Sequence, residues 1–523
     1  MRSQVFASTL RAGIVGCLLL WAAPATGAEF TDLLDAADDF DDFDEETYDP
    51  FDFNIEPSFS FEYGQGEINR EAPCGSEDDK DENPRVVTDD DRCPDDSDDP
   101  DYGHGTTVEN REMDYRHTEA TLDIDFRAGL YKDLELSLNV PYVLSSTHGM
   151  RYAPGVDSEN SSVDPTNDDI EDNAKDAFDE NDGYSQSGFN QFTTYRYFEL
   201  DETYDNIERS GFGDPSVALQ WAPFNDERDP TKATLLLGME YTMPLAPIKT
   251  AEDNDVGEGK HVLHWRFASS KRFDWIEPYF GADFFLPMAA TNSPIREIDS
   301  DNEGQVYTNP PMHGEMTIGS EFIPYANEET GERYAIDLRF SMGYVSEGRD
   351  YSPMFDHMAN SSCRGKTVDD VSPNFDDDGN LTNTDDVACA WITQQPSNAE
   401  GDPQYDISAM SDGDRQDVAF RSDGIMTVED YGTFAGLLGF YLQPSEYFQL
   451  NALAELKHRQ EHFMTNARTG RDVDDSGSVS LSGSDAERER NPVYNPTYDS
   501  TGKRFRIQAF NTWTFMVNAA LQF

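Results

Sequence analysis

From Trp513 onward the chain alternates. Trp513, Phe515, Val517, Ala519, Leu521 and Phe523 fall on one side of an extended segment, and Thr514, Asn518, Ala520 and Gln522 on the other. A period of two places these sets on opposite faces of one strand. The run has about the ~9–11 residues that a tilted strand needs to cross a bilayer. Only Met516 interrupts its polar face.

The same alternation recurs upstream. It runs through Phe53, Ile55, Pro57, Phe59, Phe61 and Tyr63, where Pro57 suggests a bulge because it lacks a ladder donor. It returns in Ala120 to Leu130, and Tyr131-Lys132-Asp133 turn the chain into Leu134 to Tyr142. A long polar gap separates these from Val217-Leu219-Trp221, which a connection over 222–234 joins to Leu235 to Tyr241. Leu263 to Phe267 pair with Ile276 to Phe284, and Met316 to Phe322 with Ile336 to Met342. Phe434 to Leu442 turn at 443–446 into Phe448 to Leu456, and the terminal run completes twelve strands.

Five brief turns alternate with six long excursions along this order. Even strand number, short turns on one side and long loops on the other describe a transmembrane up-and-down antiparallel β-barrel. The expected fold class is therefore all-β, with about twelve strands and long acidic extracellular loops. A soluble β-sandwich is the alternative; it would bury its apolar faces against each other.

The amino end fits export. Arg2 and Arg11 precede an apolar run from Ala12 to Ala23 and then the small residues Ala25 to Ala28. That order is a secretory signal; a lipoprotein signal at Cys17 is the competing reading. The expected organisation is a signal peptide over 1–28, an acidic periplasmic segment over 29–50 and the barrel over 51–523. Within Phe30 to Phe43, Leu33, Leu34, Ala37 and Phe40 have helical spacing, consistent with a short plug helix or a frayed acidic tail.

Composition looks contradictory until it is divided between strands and loops. Net charge is −66 and mean hydropathy −0.70, yet 12% of residues are aromatic. Acid is concentrated in runs such as Glu77 to Asp101, with thirteen Asp or Glu against Lys80, Arg85 and Arg92. Such self-repulsion suits a saline or divalent-rich exterior, where salt screens charge. Nucleic acid is excluded as a partner, because its phosphates would be repelled.

Strand parity puts a second set of charges on the inward face. The acids are Glu56, Glu62, Asp123, Asp125, Glu135, Glu240, Glu277, Asp283, Glu321, Asp337 and Glu455. The bases are Arg127, Arg266, Arg339, Lys457, Arg459 and Arg506. Charge at these positions must meet water or an opposite charge. The lumen is then a polar conduit favouring cations, or a ladder of ion pairs filling a narrow barrel. His261 and His264 fall on opposite faces of one strand, while His458 and His462 share the outward face.

Cys74, Cys93, Cys363 and Cys389 lie beyond the signal, two in each of two long loops. Local disulfides Cys74–Cys93 and Cys363–Cys389 are favoured, and an oxidising compartment fits them. Asn374, Asp376, Asp378 and Asn380, with Gly379 and then Asp385, match the oxygen-ligand spacing of a calcium loop. Asp472, Asp474, Ser476 and Gly477 repeat its opening but find Gly483 at the twelfth position. No organic cofactor is implied, and calcium in the outer loops is the one candidate ion.

The aromatic carboxyl end resembles that of Gram-negative outer-membrane barrels, with Trp513, Phe515 and Phe523 as the assembly signal. Three further segments resemble the outer-membrane transporter family associated with phenol (meta-pathway) degradation. They are Leu134 to Tyr142, ending in Pro-Tyr; Gly211-Phe212-Gly213-Asp214-Pro215-Ser216-Val217; and Tyr241-Thr242-Met243-Pro244. The resemblance implies barrel architecture, with Gly211, Gly213 and Asp214 shaping the entry to a strand.

The leading expectation is an outer-membrane channel or facilitator for small hydrophobic or cationic solutes. Its partners would be outer-membrane lipid, the barrel-assembly machinery and the solute. A structural or adhesive surface barrel with cation-binding loops is the alternative. An outer-membrane hydrolase is the third reading; no G-x-S-x-G or other nucleophile motif supports it, so the chain is expected not to be an enzyme.

Overall fold

The computed structural model describes residues 53–74, 107–157, 200, 203–249, 254–295, 304–358, 425–480, 485–494, 499 and 501–522, apart from a few positions inside those ranges. Among these residues twelve antiparallel strands close into one barrel. They are β1 (Phe53–Pro73), β2 (Thr107–Tyr131), β3 (Leu134–Tyr152), β4 in two halves (Asp205–Phe212 and Ser216–Phe224), β5 (Thr234–Thr242) and β6 (Lys260–Ser270). The second half of the wall is β7 (Ile276–Ala289), β8 (His313–Asn327), β9 (Glu332–Val345), β10 (Tyr431–Ser445), β11 (Phe448–Arg459) and β12 (Phe510–Gln522). Each strand pairs with its sequence neighbours, and β12 returns to β1 with Ile55 opposite Leu521 and Tyr63 opposite Trp513. Closure leaves no sheet edge, which an apolar surround requires.

The five short turns and both ends of the barrel, Phe53 and Gln522, share one rim. Asp133, Asp274 and Gly331 have left-handed φ angles of 52°, 50° and 64° in three of those turns. These tight reversals need such a residue. Outward positions are apolar and exposed around the wall, as at Leu138, Leu219, Met239, Phe280, Ile318, Phe340, Phe440 and Val517. A sandwich would have buried them; an exposed band of this kind meets lipid. Trp221, Phe273, Trp275, Tyr325 and Tyr447 ring the short-turn rim, where amphipathic aromatics suit the headgroup layer.

Three local expectations are corrected. Pro57 is not at a bulge: registers to β2 and β12 are unchanged on either side of it, and the β1–β2 shift lies between Ile68 and Asn69. β1, β2 and β3 extend well past the lipid-facing band, on sequences too polar to show apolar alternation. The gap before Val217 hides the first half of β4, which pairs with β3 from Tyr142 to Met150.

The interior has three layers. At the short-turn end, Ala222, Leu236, Ala268 and Tyr279 form one apolar cluster, and Ile323, Ala335, Leu437, Tyr441 and Leu453 another. Met516 packs on the second, so the one apolar residue on the polar face of β12 has a partner there. The middle layer is a polar cavity. At the long-loop end, Ile68, Met113, Tyr115, Met150, Met354, Met426, Met464, Phe505 and Phe510 share a third cluster. A two-stranded ribbon, Gly348–Tyr351 with Ile425–Val428, contributes to this cap.

Candidate functional site

The cavity encloses about 380 Å³ and touches nearly every strand. Of the charges assigned inward by parity, Glu56, Glu62, Asp123, Asp125, Arg127, Glu240, Arg266, Glu455, Lys457 and Arg459 line it. Most are held in place by neighbours on adjoining strands. Glu56 accepts from Arg127 at 2.9 Å and from Asn518 Nδ2. Glu62 meets His117 at 2.7 Å, and Asp125 accepts from Asn139 at 3.0 Å. Lys457 reaches Glu315 at 3.3 Å across the lumen.

Other predicted lumen residues lie outside the cavity lining. Glu135 is buried in the wall. Asp283 is also buried; its Oδ1 accepts from Arg266 Nε at 3.0 Å and contacts His264 Nε2 at 2.8 Å. Glu277, Glu321, Asp337 and Arg339 are buried at the short-turn end, below the cavity. There Tyr279 Oη donates to Asp337 at 2.6 Å, while Arg339 donates to Tyr279 Oη at 2.8 Å and to Asp337 Oδ2 at 2.9 Å. Glu321 accepts from Arg333 at 2.5 Å. This layer fills the bore with satisfied polar groups, which a desolvated charge requires.

Arg506 is not a lumen residue. It lies on a short strand, Phe505–Ile507, that pairs with β1 beyond the lipid band. Its guanidinium contacts Glu109 at 2.8 Å and sits over the Phe463 ring. Parity failed here because the strand belongs to the cap. His462 is likewise not outward: it is buried, with its ring stacked on Tyr431 at 3.9 Å. His458 is outward and contacts Asn511 at 2.9 Å.

Several cavity residues are not among the charges assigned to the lumen from sequence: Asp214, Glu258, Lys260, His264, His313 and Glu315. Glu315 and His264 share inward parity with Glu321 and Arg266, and fuller use of the alternation would have found them. Asp214, Glu258 and Lys260 lie at or beyond strand ends, where parity gives no guide. Lys260 is buried between Glu258 at 2.8 Å and Asp350 at 2.7 Å, tying the ribbon to the barrel wall. Burial pushes the Asp350 carboxyl up to about 6 against the pull of Lys260.

One face of the cavity coincides with a break in β4. Gly213, Asp214 and Pro215 interrupt the strand, and Gly213 N donates to Pro141 O at 3.0 Å. A Cβ on Gly213 would sit 3.1 Å from the Pro141 ring, tighter than ordinary contact, so a side chain here would require the ring to shift. Asp214 accepts from Ala246 N at 2.8 Å and Glu258 N at 3.2 Å, and Met243 N donates to Pro215 O at 2.9 Å. The three segments that carry the transporter resemblance, far apart in sequence, thus meet at this break.

Trp513 and Phe515 face outward and exposed, whereas Phe523 lies outside the described residues. Cys74 is buried beside Ala72 and Val108. Cys93, Cys363 and Cys389, the calcium-loop candidates Asn374, Asp376, Asp378, Asn380 and Asp385, and the segment from Phe30 to Phe43 are outside the described residues too. In the second acidic loop, Asp472 and Asp474 accept from the backbone of Ser476 and Gly477 and lie close to Glu489, while Gly483 lies outside the described residues.

No protein-family model matches the chain, and no curated protein does. Among solved structures it is similar to an outer-membrane channel from Pseudomonas putida F1, with 9% identity, a TM-score of 0.30, and coverage of 90% of this chain and 96% of that one. A FadL homologue from Pseudomonas aeruginosa gives 8% identity, a TM-score of 0.28, and coverage of 90% of each chain. The outer membrane protease OmpT from Escherichia coli gives 6% identity, a TM-score of 0.24, and coverage of 91% and 98%. Likeness at this level says nothing of solute or chemistry.

Proposed function

We propose that the protein is a facilitator for small solutes in the outer membrane of a Gram-negative bacterium. The observation that carries this reading is the cavity itself, a polar chamber of about 380 Å³ at the centre of a lipid-facing barrel. About eight strands give an interior that side chains fill, so twelve leave room for a chamber, and here the chamber is lined by polar groups. The convergence of the transporter-like segments on the cavity wall supports the same reading.

The Tyr279–Asp337–Arg339 layer lies below the chamber, and the methionine-rich cluster lies towards the long-loop end. Acids outnumber Lys and Arg along its lining, which favours cationic or neutral solutes in simple electrostatic terms. A hydrolase gains no support from His264, because both ring nitrogens are engaged, by Glu240 at 3.2 Å and Asp283 at 2.8 Å. The test is solute flux into proteoliposomes, with planar-bilayer conductance alongside. Uptake of small solutes above that of protein-free vesicles is expected; a barrel that is silent in both assays overturns the reading.

A further inference from the structure

Glu135 on β3 is 4% exposed, and neither of its carboxylate oxygens has a hydrogen-bond partner among the described residues. Its register partner on the second half of β4 is Gln220, whose Oε1 is also buried and without a partner among them. Residues directly opposite in an antiparallel pair share a face, with Cβ atoms about 4.5–5.5 Å apart. The row continues into Gly129 on β2 and Gly238 on β5, so only its two middle members carry side chains. Two neighbouring side chains thus present three buried acceptor oxygens that no described donor reaches.

The bases nearby are engaged elsewhere. Arg127 attracts Glu135 electrostatically, but its guanidinium contacts Glu56 at 2.9 Å and makes no hydrogen bond to Glu135. Arg266, beyond Gly238 in the row, donates to Asp283 at 3.0 Å. Glu56 and Glu135 therefore share one base, and one negative charge is left over. A carboxylate withdrawn from water without donors is strongly disfavoured unless a counter-charge is supplied. The surplus of one matches a monovalent ion; a second positive charge would be repelled by Arg127. An acceptor set made only of oxygen suits a hard cation. Arg127, Ser137 and Gln220 line the cavity, so the approach is from that side.

We propose that Glu135 and Gln220 hold one alkali-metal cation in the wall of the cavity, with both carboxylate oxygens and the Gln220 carbonyl as ligands. Binding there needs the cavity as an approach and no passage through the barrel, so it goes beyond the solute reading.

Sodium NMR of the full chain in non-ionic micelles tests it, with sodium chloride titrated against N-methylglucamine chloride at constant ionic strength. The wild type is expected to give a saturable broadening of the sodium line. Glu135→Gln should weaken that affinity at least about tenfold, the value of one charge-assisted contact. Gln220→Leu should weaken it in part, and Glu208→Gln, which removes an exposed acid, should leave it unchanged. Heat-modifiable migration reports that each variant is folded. Equal broadening in wild type and Glu135→Gln overturns the proposal, since it marks diffuse attraction by the acidic surface. So does a protonated-carboxyl band in the infrared spectrum that Glu135→Gln abolishes, because a proton then takes the cation's place. Wild-type affinity in Gln220→Leu overturns the shared site. Sodium bound through Glu135 in a barrel that passes no solute ends the channel alone. Solute flux without any Glu135-dependent sodium signal ends the cation site alone.

Discussion

The ring of Tyr279 on β7 lies directly over the backbone of Gly319 on β8, so that a Cβ at Gly319 would come within 2.4 Å of the ring and its oxygen. The contact places the phenol where it bridges Asp337 and Arg339 and closes the bore at its short-turn end.

Gly319→Val is therefore expected to push Tyr279 out of this layer. Overpacking of this kind costs about 1–3 kcal/mol, and single-channel conductance in planar bilayers should rise. A variant with lowered stability and unchanged conductance would show that Tyr279 does not close the bore.

Lys260 anchors the ribbon through Asp350. Lys260→Met leaves a buried carboxylate unpaired, at a cost of about 3–5 kcal/mol. Adding Asp350→Asn should recover much of that loss, since the double variant buries no lone charge. Urea unfolding of the three proteins, with proteolysis of the ribbon, measures both effects. Strict additivity would mean that the pair is not coupled.

His462 makes the cap sensitive to acid. Burial, with Arg459 and Arg506 nearby, lowers its pKa to about 4 from the ordinary 6.5. The folded protein thus prefers the neutral ring. Stability from this residue is complete above about pH 6.5 and is lost as pH falls towards 4, by roughly 3 kcal/mol at most. The urea midpoint of the wild type should fall over that window more steeply than that of His462→Phe. Parallel curves would remove His462 as the cause.

Asp214 holds the break in β4 through the amides of Ala246 and Glu258. Asp214→Ala leaves both donors without it, at about 1–3 kcal/mol. Faster swelling of proteoliposomes is the expected consequence, and an unchanged rate with lowered thermal stability would confine Asp214 to a structural role.

Much of this molecule is legible in its sequence because a barrel wall has one rule. Residues such as Trp513 and Phe515 face lipid and Thr514 and Asn518 face inward, and that period of two recurs in nearly every strand. Strand number, short and long connections and the inward position of most charges follow from it, as do the shared rim of Phe53 and Gln522. Parity says which side a residue faces, but not how far along the bore it sits or what stands across from it. Only the closed structure separates Glu56 and Arg459, at the cavity, from Asp337 and Arg339, packed beneath it. It alone brings Pro141, Gly213 and Asp214 together, moves Arg506 into the cap and sets Lys457 opposite Glu315 across the lumen. Those outcomes depend on strand stagger and on residues far apart in the chain, which a local repeat cannot encode.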